Sequence, residues 1–262
     1  MQLLLCFSAV LALALASPVI QEIAPVKSVD AGLLAYAVDL SQPATKSQFT
    51  CLQNNGYSVA FIRGYSPVSN GAFDKNACNN IFNAYNAGMG TEVYMTPAPL
   101  SSKSGTTQFN EMYTGLVNQG INIRAVWIQV TSPVNWSSNY NTNLNVIASI
   151  RSAAFAKGIR VGFYSSAYDW SQITNNYTGY ATSGDSLWYW NVNGGGLSGE
   201  TAPNFSDYYY FGGWAAPSVK QYAQVESVCS ITVNRDVYST SNSNLQQAKV
   251  DGKGPVVGNF GF

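Results

Sequence analysis

Ala125-Val126-Trp127-Ile128-Gln129-Val130-Thr131 is apolar through Ile128 and then alternates, leaving Gln129 and Thr131 as its polar positions. A short apolar run of this kind reads as a strand buried on both faces, the type found in parallel sheets. Its flanks repeat a pattern. Upstream, a helix is expected over about 107–118, ending near Gly120. Downstream, a second helix over about 143–157 stops at Gly158, and Ile159-Arg160-Val161-Gly162-Phe163-Tyr164 supplies the next strand. A strand, a helix ended by glycine and another strand make a right-handed β/α unit.

Earlier units repeat the scheme. Leu34-Ala35-Tyr36-Ala37-Val38 leads into Asp39 and a helix over 46–54. Tyr57 to Arg63 leads into a helix over 74–87, with Asp74 as its N-cap and Gly88 as its stop. Glu92 to Thr96 is halted by Pro97 and Pro99. Beyond Tyr164 the helical signal thins. Leu187-Trp188-Tyr189-Trp190 reads as a strand, a Gly- and Asn-rich loop runs to about Ser206, and short apolar runs near 220–222 and 231–233 suggest two closing strands. The expected fold is α/β: a flattened TIM-like β/α barrel over 33–240, about five β/α units followed by three strands with few helices. No internal repeat or second-domain linker interrupts it. The glycine-containing tail, 241–262, is expected to be loose or draped on the surface.

The chain has 262 residues, 13 Lys+Arg against 13 Asp+Glu, and only 10% charged residues. A neutral chain lacks the electrostatic footprint of a nucleic-acid or anionic-membrane binder. With no His at all, Ser-His-Asp and Cys-His constellations and imidazole metal sites are excluded. Neither metal nor cofactor is expected. Acid–base chemistry must come from Asp, Glu, Tyr, Lys or Cys. The 17 Tyr and 6 Trp, with abundant Asn, Ser and Thr, suit stacking on sugar rings and bonding to hydroxyls, although more than half of these aromatics are expected in the core.

Residues 1–16 read as a secretory signal peptide, an apolar run from Leu3 closing on Ala14-Leu15-Ala16, followed by a short leader over 17–32. The expectation is a secreted, extracellular monomer with no membrane span after cleavage. Cys6 would leave with that peptide. Cys51, Cys78 and Cys229 remain, allowing one internal disulfide, Cys51–Cys78 or Cys51–Cys229. Three sequons, at Asn135, Asn176 and Asn204, fall in expected loops or element ends.

In a β/α barrel the working groups lie at the C-terminal strand ends. Those ends carry Asp39, Arg63, Tyr94, Thr96, Gln129, Thr131, Tyr164, Trp190 and Gln221, and finally Asn234 and Asp236. Trp127, Trp136, Tyr168, Trp170 and Trp188 are expected nearby. This polar, aromatic mouth suits a carbohydrate chain.

At these positions the sequence resembles the glycoside hydrolase family 25 lysozymes, the Chalaropsis-type muramidases, and within them the nematode lysozyme-like branch. The residues carrying the likeness are Tyr36-Ala37-Val38-Asp39-Leu40-Ser41, Phe61-Ile62-Arg63, Val126 to Thr131, Gly162-Phe163-Tyr164-Ser165, Leu187-Trp188, Gln221-Tyr222 and Val233 to Tyr238. The resemblance implies cleavage of the muramic acid–glucosamine link of peptidoglycan. It assigns substrate contacts to Arg63, Tyr94, Trp127, Tyr164, Trp188, Trp190, Gln221 and Tyr222. The family's strand-four pattern is Trp-x-Asp-x-Glu, and here its Asp falls on Gln129 and its Glu on Thr131. The family's last-strand Val-Asp-x-Asn reads Val233-Asn234-Arg235-Asp236, with carboxylate and amide exchanged. Only Asp39 stands in its family place, and Asp236 is a candidate substitute.

Glycosidases generally need two carboxyl groups, one to donate a proton. A primary amide and a hydroxyl cannot replace a general acid, whose loss commonly costs about 10²–10⁴-fold. The reading is therefore a secreted lysozyme-like protein of innate defence or of digestion of bacteria. It would bind peptidoglycan or another amino-sugar polymer with little or no standard muramidase activity. By the same analogy its setting is the intestinal lumen or a lysosome-related vesicle. The alternatives are an active glycosidase with a relocated acid (Asp39, Asp236, Asp169 or Asp185) and a non-catalytic immune or signalling scaffold.

Overall fold

The computed structural model describes residues 34–240 and 254–258. The expected signal peptide, the leader and most of the tail lie outside the described residues. In chain order the elements are β1 (Leu34–Leu40), α1 (Lys46–Asn54), β2 (Tyr57–Ser66), β3 (Ala72–Phe73), α2 (Ala77–Asn86), β4 (Gly90–Met95), α3 (Gly105–Val117), β5 (Asn122–Ile123) and β6 (Ala125–Gln129). They continue with α4 (Tyr140–Phe155), β7 (Arg160–Ser165), α5 (Ala167–Thr174), α6 (Gly179–Thr182), β8 (Ser186–Trp190), β9 (Val219–Val228), β10 (Ile231–Ser239) and β11 (Val256–Val257).

Strands run β2-β1-β10-β9-β8-β7-β6-β4, and β2 pairs with β4 to close a barrel of eight strands among the described residues. Alternation along each strand builds two cores. Inward residues Phe61, Tyr94, Trp127, Tyr164, Trp188 and Tyr238 fill the barrel. Outward residues such as Val38, Ile62, Val93, Ile128 and Phe163 pack under the helices. Gly162 is fitted to this: a Cβ there would sit 2.4 Å from the Trp127 ring.

The helices start where short polar side chains satisfy free backbone N–H groups. Thr45 and Gln48 form a reciprocal capping box on α1, while Ser104, Asn139 and Ser166 cap α3, α4 and α5. Asp74 departs from expectation. Helix α2 begins after Asn76, and the Asp74 carboxylate instead accepts from the Asn76 backbone and pairs with Arg63.

The eight barrel strands are parallel except for β10, which runs antiparallel to both β1 and β9; the short β3 adds an antiparallel partner outside the barrel, on β2. β9 and β10 are longer than their short apolar runs suggest. They meet in a two-residue turn, Cys229-Ser230, with positive φ at both positions, the twist-matched geometry of a tight hairpin. Cys229 is bonded to Cys51 of α1, with Cα atoms 5.9 Å apart, so the Cys51–Cys78 alternative falls and Cys78 is a half-buried free thiol.

The expectation of a loose tail fails over 254–258. There β11 pairs in parallel with β4 and β5, and Val257 is buried. Around β8, β9 and β10 no long helix among the described residues covers the outer face. The segment 191–218 covers it, held by Asp207 to Lys220 and by Glu200 to Arg235. Among the described residues no helix is long and apolar enough to cross a membrane.

Candidate functional site

An open cleft of about 500 Å³ lies at the C-terminal end of β4 and β6. One wall is the turn Pro67–Asn70. A second is Thr96–Ser101, where Pro97 and Pro99 end the strand. The third is the 3-10 turn Pro133–Asn135 with Trp136. The Trp136 indole donates to the Thr131 carbonyl at 3.0 Å, fixing the chain as it leaves β6. Gln129 and Thr131 form the floor. The Thr96 hydroxyl donates to Gln129 Oε1 at 2.5 Å, and Gln129 Nε2 donates to Thr131 Oγ1 at 3.0 Å. This amide–hydroxyl chain is neutral. Among the described residues, none lining the cleft is an Asp or Glu.

Asp39 lies inside the barrel mouth, 3% exposed. Its Oδ2 accepts from Gln221 Nε2 and its Oδ1 from Asn234 Nδ2 at 2.9 Å. Gln221 is held in turn by the Tyr164 hydroxyl and by Gln224, both donating to its Oε1. Because β10 is antiparallel, Asn234 sits level with Asp39 while Asp236 lies one step deeper, opposite Ala37. Asp236 is completely buried. Trp188 Nε1 donates to its Oδ1 at 2.9 Å, and Oδ2 has no N–H or hydroxyl donor. Its carboxyl hydrogen-bonds that of Asp39, which two carboxyls can do only through a proton held by one of them.

Burial pushes Asp39 up to about 6, opposed by the hydrogen bonds it receives from Asn234, Gln221 and Asp236. Burial and then the Asp39 charge push Asp236 well above the usual carboxylate range. Of the two, burial and the neighbouring charge favour the protonated form of Asp236, while Asp39 accepts from Gln221 and Asn234. That arrangement stores a charge and is poorly placed to hand a proton to a glycosidic oxygen.

The other expected site residues divide sharply. Arg63 is part-buried and committed to Asp74 at 2.7 Å. Tyr94, Tyr164, Trp127 and Trp188 are barrel filling: Trp188 stacks on Tyr164 with centroids 4.1 Å apart, and Trp127 donates to the buried Glu92. Their expected role as sugar contacts is corrected by strand alternation, which turns them into the closed interior. Tyr222 is corrected likewise. It faces outward on β9, under the Arg235 guanidinium. Trp190 alone of these aromatics reaches the rim, where its Nε1 donates to Asp169 at 3.0 Å. Asp185 is committed to Arg151 outside the barrel, and Trp170 packs in the outer core. Asn135 is exposed on the cleft wall, Asn176 is exposed, and Asn204 is half-buried and bonded by Ser206. The Pro67–Asn70 wall and Glu92 were not singled out from sequence; nothing local marks them.

The polar cleft, shaped by β4 and β6, lies at the C-terminal strand ends, where β/α-barrel enzymes keep their active sites. The family model described as "Lysozyme-like protein 1" matches residues 30–222. Lysozyme-like protein 7 of Caenorhabditis elegans is 50% identical over 239 residues, covering 90% of this chain and 83% of its own. Probable GH family 25 lysozyme 2 of Dictyostelium discoideum is 35% identical over 77% of this chain and 89% of its own. The muramidase of Trichobolus zukalii shares the fold with a TM-score of 0.61 at 18% identity, covering 83% of this chain and 99% of its own. The chain belongs to the lysozyme-like family within the glycoside hydrolase family 25 lysozymes.

Proposed function

We propose that this protein is a secreted lysozyme-like protein that binds peptidoglycan or related amino-sugar chains in the cleft and has little or no standard muramidase activity. Innate defence or the handling of ingested bacteria would be its setting. The observation carrying this reading is the cleft floor itself. Gln129 and Thr131 hydrogen-bond each other where the family has Asp and Glu, and the retained Asp39 is buried and fully occupied. The cleft thus keeps its walls and donors for hydroxyl and acetamido groups without a proton source among its lining residues.

The test is hydrolysis of purified peptidoglycan by the native protein beside a Gln129→Asp, Thr131→Glu double variant and a carboxylate-bearing relative. The native rate should lie about 10²–10⁴-fold below the relative's, and the double variant should recover part of the gap. A native rate equal to the relative's would overturn the reading.

One observation favours a second reading, an active glycosidase with a relocated acid. The Asp39 carboxyl is pushed up to about 6, inside the range of a working general acid. On that reading any native turnover disappears in Asp39→Asn. On the first reading, Asp39→Asn leaves the residual rate unchanged.

A further inference from the structure

A smaller cavity of about 150 Å³ lies beside the cleft, between the ends of β7 and β8 and the covering segment. Its rim carries Tyr168 and Tyr209, which are 67% and 68% exposed, together with the half-buried Trp190. Two broad aromatic faces held in water around one hollow need an explanation, because single exposed aromatics are ordinary but converging ones are not. Their apolar faces and polar tips match a pyranose ring, which is apolar on its C–H face and hydroxylated at its edge.

The floor is built rather than incidental. Asp207 accepts from the Tyr189 hydroxyl at 2.6 Å, and from Asn191 Nδ2 and Lys220 Nζ at 2.7 Å each. Burial raises this carboxyl, but the Lys220, Tyr189 and Asn191 contacts outweigh it and hold Asp207 below its ordinary range. Because the Asn191 amide must turn its N–H toward a carboxylate, its Oδ1 is presented as an acceptor. The side wall is equally fixed. Asp169, 3% exposed, accepts from the Trp190 indole at 3.0 Å, its backbone N–H donates to the Ser166 hydroxyl at 3.1 Å, and the Ser132 backbone and Ser166 side chain counter the rise that burial imposes on its carboxyl. Ser132 lines the large cleft, whereas Ser166 and Trp190 line the small cavity. The two hollows therefore share one rigid partition. β6 and β8 flank β7, so they lie roughly 10 Å apart at the usual strand spacing. A short oligosaccharide spans that distance.

We propose that the small cavity is a second saccharide subsite. Tyr168 and Tyr209 stack on a sugar ring, Asn191 accepts from a hydroxyl or acetamido N–H, and an amino-sugar chain lying in the cleft runs across the Asp169 partition to reach it. This rests on the reading of the cleft as a glycan site. It adds a length requirement: chains long enough to fill both hollows bind more tightly than chains that fill one.

The test is calorimetric titration of the full protein with chito-oligosaccharides, dimer and hexamer, against native, Tyr168→Ala/Tyr209→Ala and Tyr168→Phe/Tyr209→Phe. Both tyrosines are exposed, so the fold tolerates their removal. The hexamer should bind the alanine variant about tenfold more weakly than the native protein, the loss of roughly one aromatic contact. Dimer binding should be unchanged, and the phenylalanine variant should keep most of the hexamer affinity. Unchanged hexamer binding in the alanine variant, or equal loss for dimer and hexamer, overturns the second subsite while leaving the cleft reading intact. Failure of the native protein to bind either oligomer overturns both.

Discussion

The two flanks of this barrel are closed by different physics. Along β2, β4, β6 and β7, amphipathic helices lay apolar faces on the sheet, and Phe49, Leu52, Phe109, Met112, Leu116, Ile147 and Ile150 are completely buried. Along β8, β9 and β10 a long segment is tied down by charges: Lys220, fully buried, to Asp207, and Arg235 to Glu200. Tyr222 Oη and Glu226 Oε1 lie buried here without a hydrogen-bond partner among the described residues. Apolar burial tolerates neighbours of many shapes, whereas buried charge is stable only when its partner stays in place. The helix-clad flank is therefore built for stability, and the strapped flank for holding one particular loop over the rim where Tyr209 and Asp207 are displayed.

The largest effects should expose that contrast. Phe109→Ala on the clad flank should cost about 3–5 kcal/mol as a cavity. Lys220→Met on the strapped flank should cost about 3 kcal/mol by leaving Asp207 without its cation. Adding Asp207→Leu to Lys220→Met should recover much of the loss, because the pair is replaced rather than broken. Denaturant unfolding of the single and double variants measures this. A double variant as unstable as the sum of its parts would show that the strap is held by packing and not by charge. Acid should weaken the strap as well. Asp207 is held below its ordinary range, so its contribution is present above the unfolded carboxylate pKa and is lost as pH falls through the lower folded value.

Between the flanks runs the disulfide, joining α1 on one side to the tip of the β9–β10 hairpin on the other across 178 residues of sequence. Removing it as Cys51→Ser/Cys229→Ser should cost about 2–5 kcal/mol. Thermal melts with and without reductant check this. A change under about 1 kcal/mol would mean that the hairpin is already fixed by the barrel.

How far the sequence disclosed this contrast follows from the range of its signals. Helix α1 lies over the expected residues, β7 and β8 within one residue of theirs, and β6 starts as expected but ends two residues early at Gln129, because hydrophobic period and capping act within a few residues. The thinning of helices after β7 was also legible, although the short α5 and α6 were not. The strap was not, since Lys220–Asp207 and Arg235–Glu200 join residues far apart along an irregular loop that has no period. Nor was the direction of β10. Its antiparallel course decides that Asn234 rather than Asp236 stands level with Asp39, and alternation in the sequence reads the same in either direction. In the site, the missing carboxylates at Gln129 and Thr131 were visible residue by residue. That Trp127 and Trp188 point into the closed interior depended on the barrel's curvature and closure, which no local pattern encodes.

A smaller effect belongs to the clad side's lower rim, where β11 enters between β4 and β5. Gly258 has φ 89°, and a Cβ there would lie 2.2 Å from the Ala125 nitrogen. Gly258→Ala should therefore push β11 out and cost about 1–3 kcal/mol. Hydrogen exchange should show it as faster exchange at the Gly258 amide, which bonds the Thr91 carbonyl, and at the Arg124 amide, which bonds the Val257 carbonyl. Unchanged protection at both would mean that the strand adapts in place.

The smallest effect sits where the flanks meet, at the Asp39–Asp236 pair between β1 and β10. Both carboxyls titrate higher when folded than when unfolded, chiefly through burial. A group with a raised folded pKa binds more protons in the native state, so stability falls as pH rises from the unfolded value, about 4, through the folded value. At Asp39 that window reaches about 6, and at Asp236 it extends further. Asp236→Asn removes the proton requirement without removing a contact. The amide oxygen can still accept from Trp188 Nε1, and the amide nitrogen can donate to Asp39 in place of the shared proton. The variant should match the native protein near pH 4 and exceed it by about 1–3 kcal/mol at pH 7. Urea unfolding at intervals from pH 4 to 7 measures this, and an identical pH slope in the two proteins would show that no shared proton links the pair. If the slope flattens as expected, the barrel mouth holds its one retained family acid by a proton that serves the fold and is not spent on a substrate.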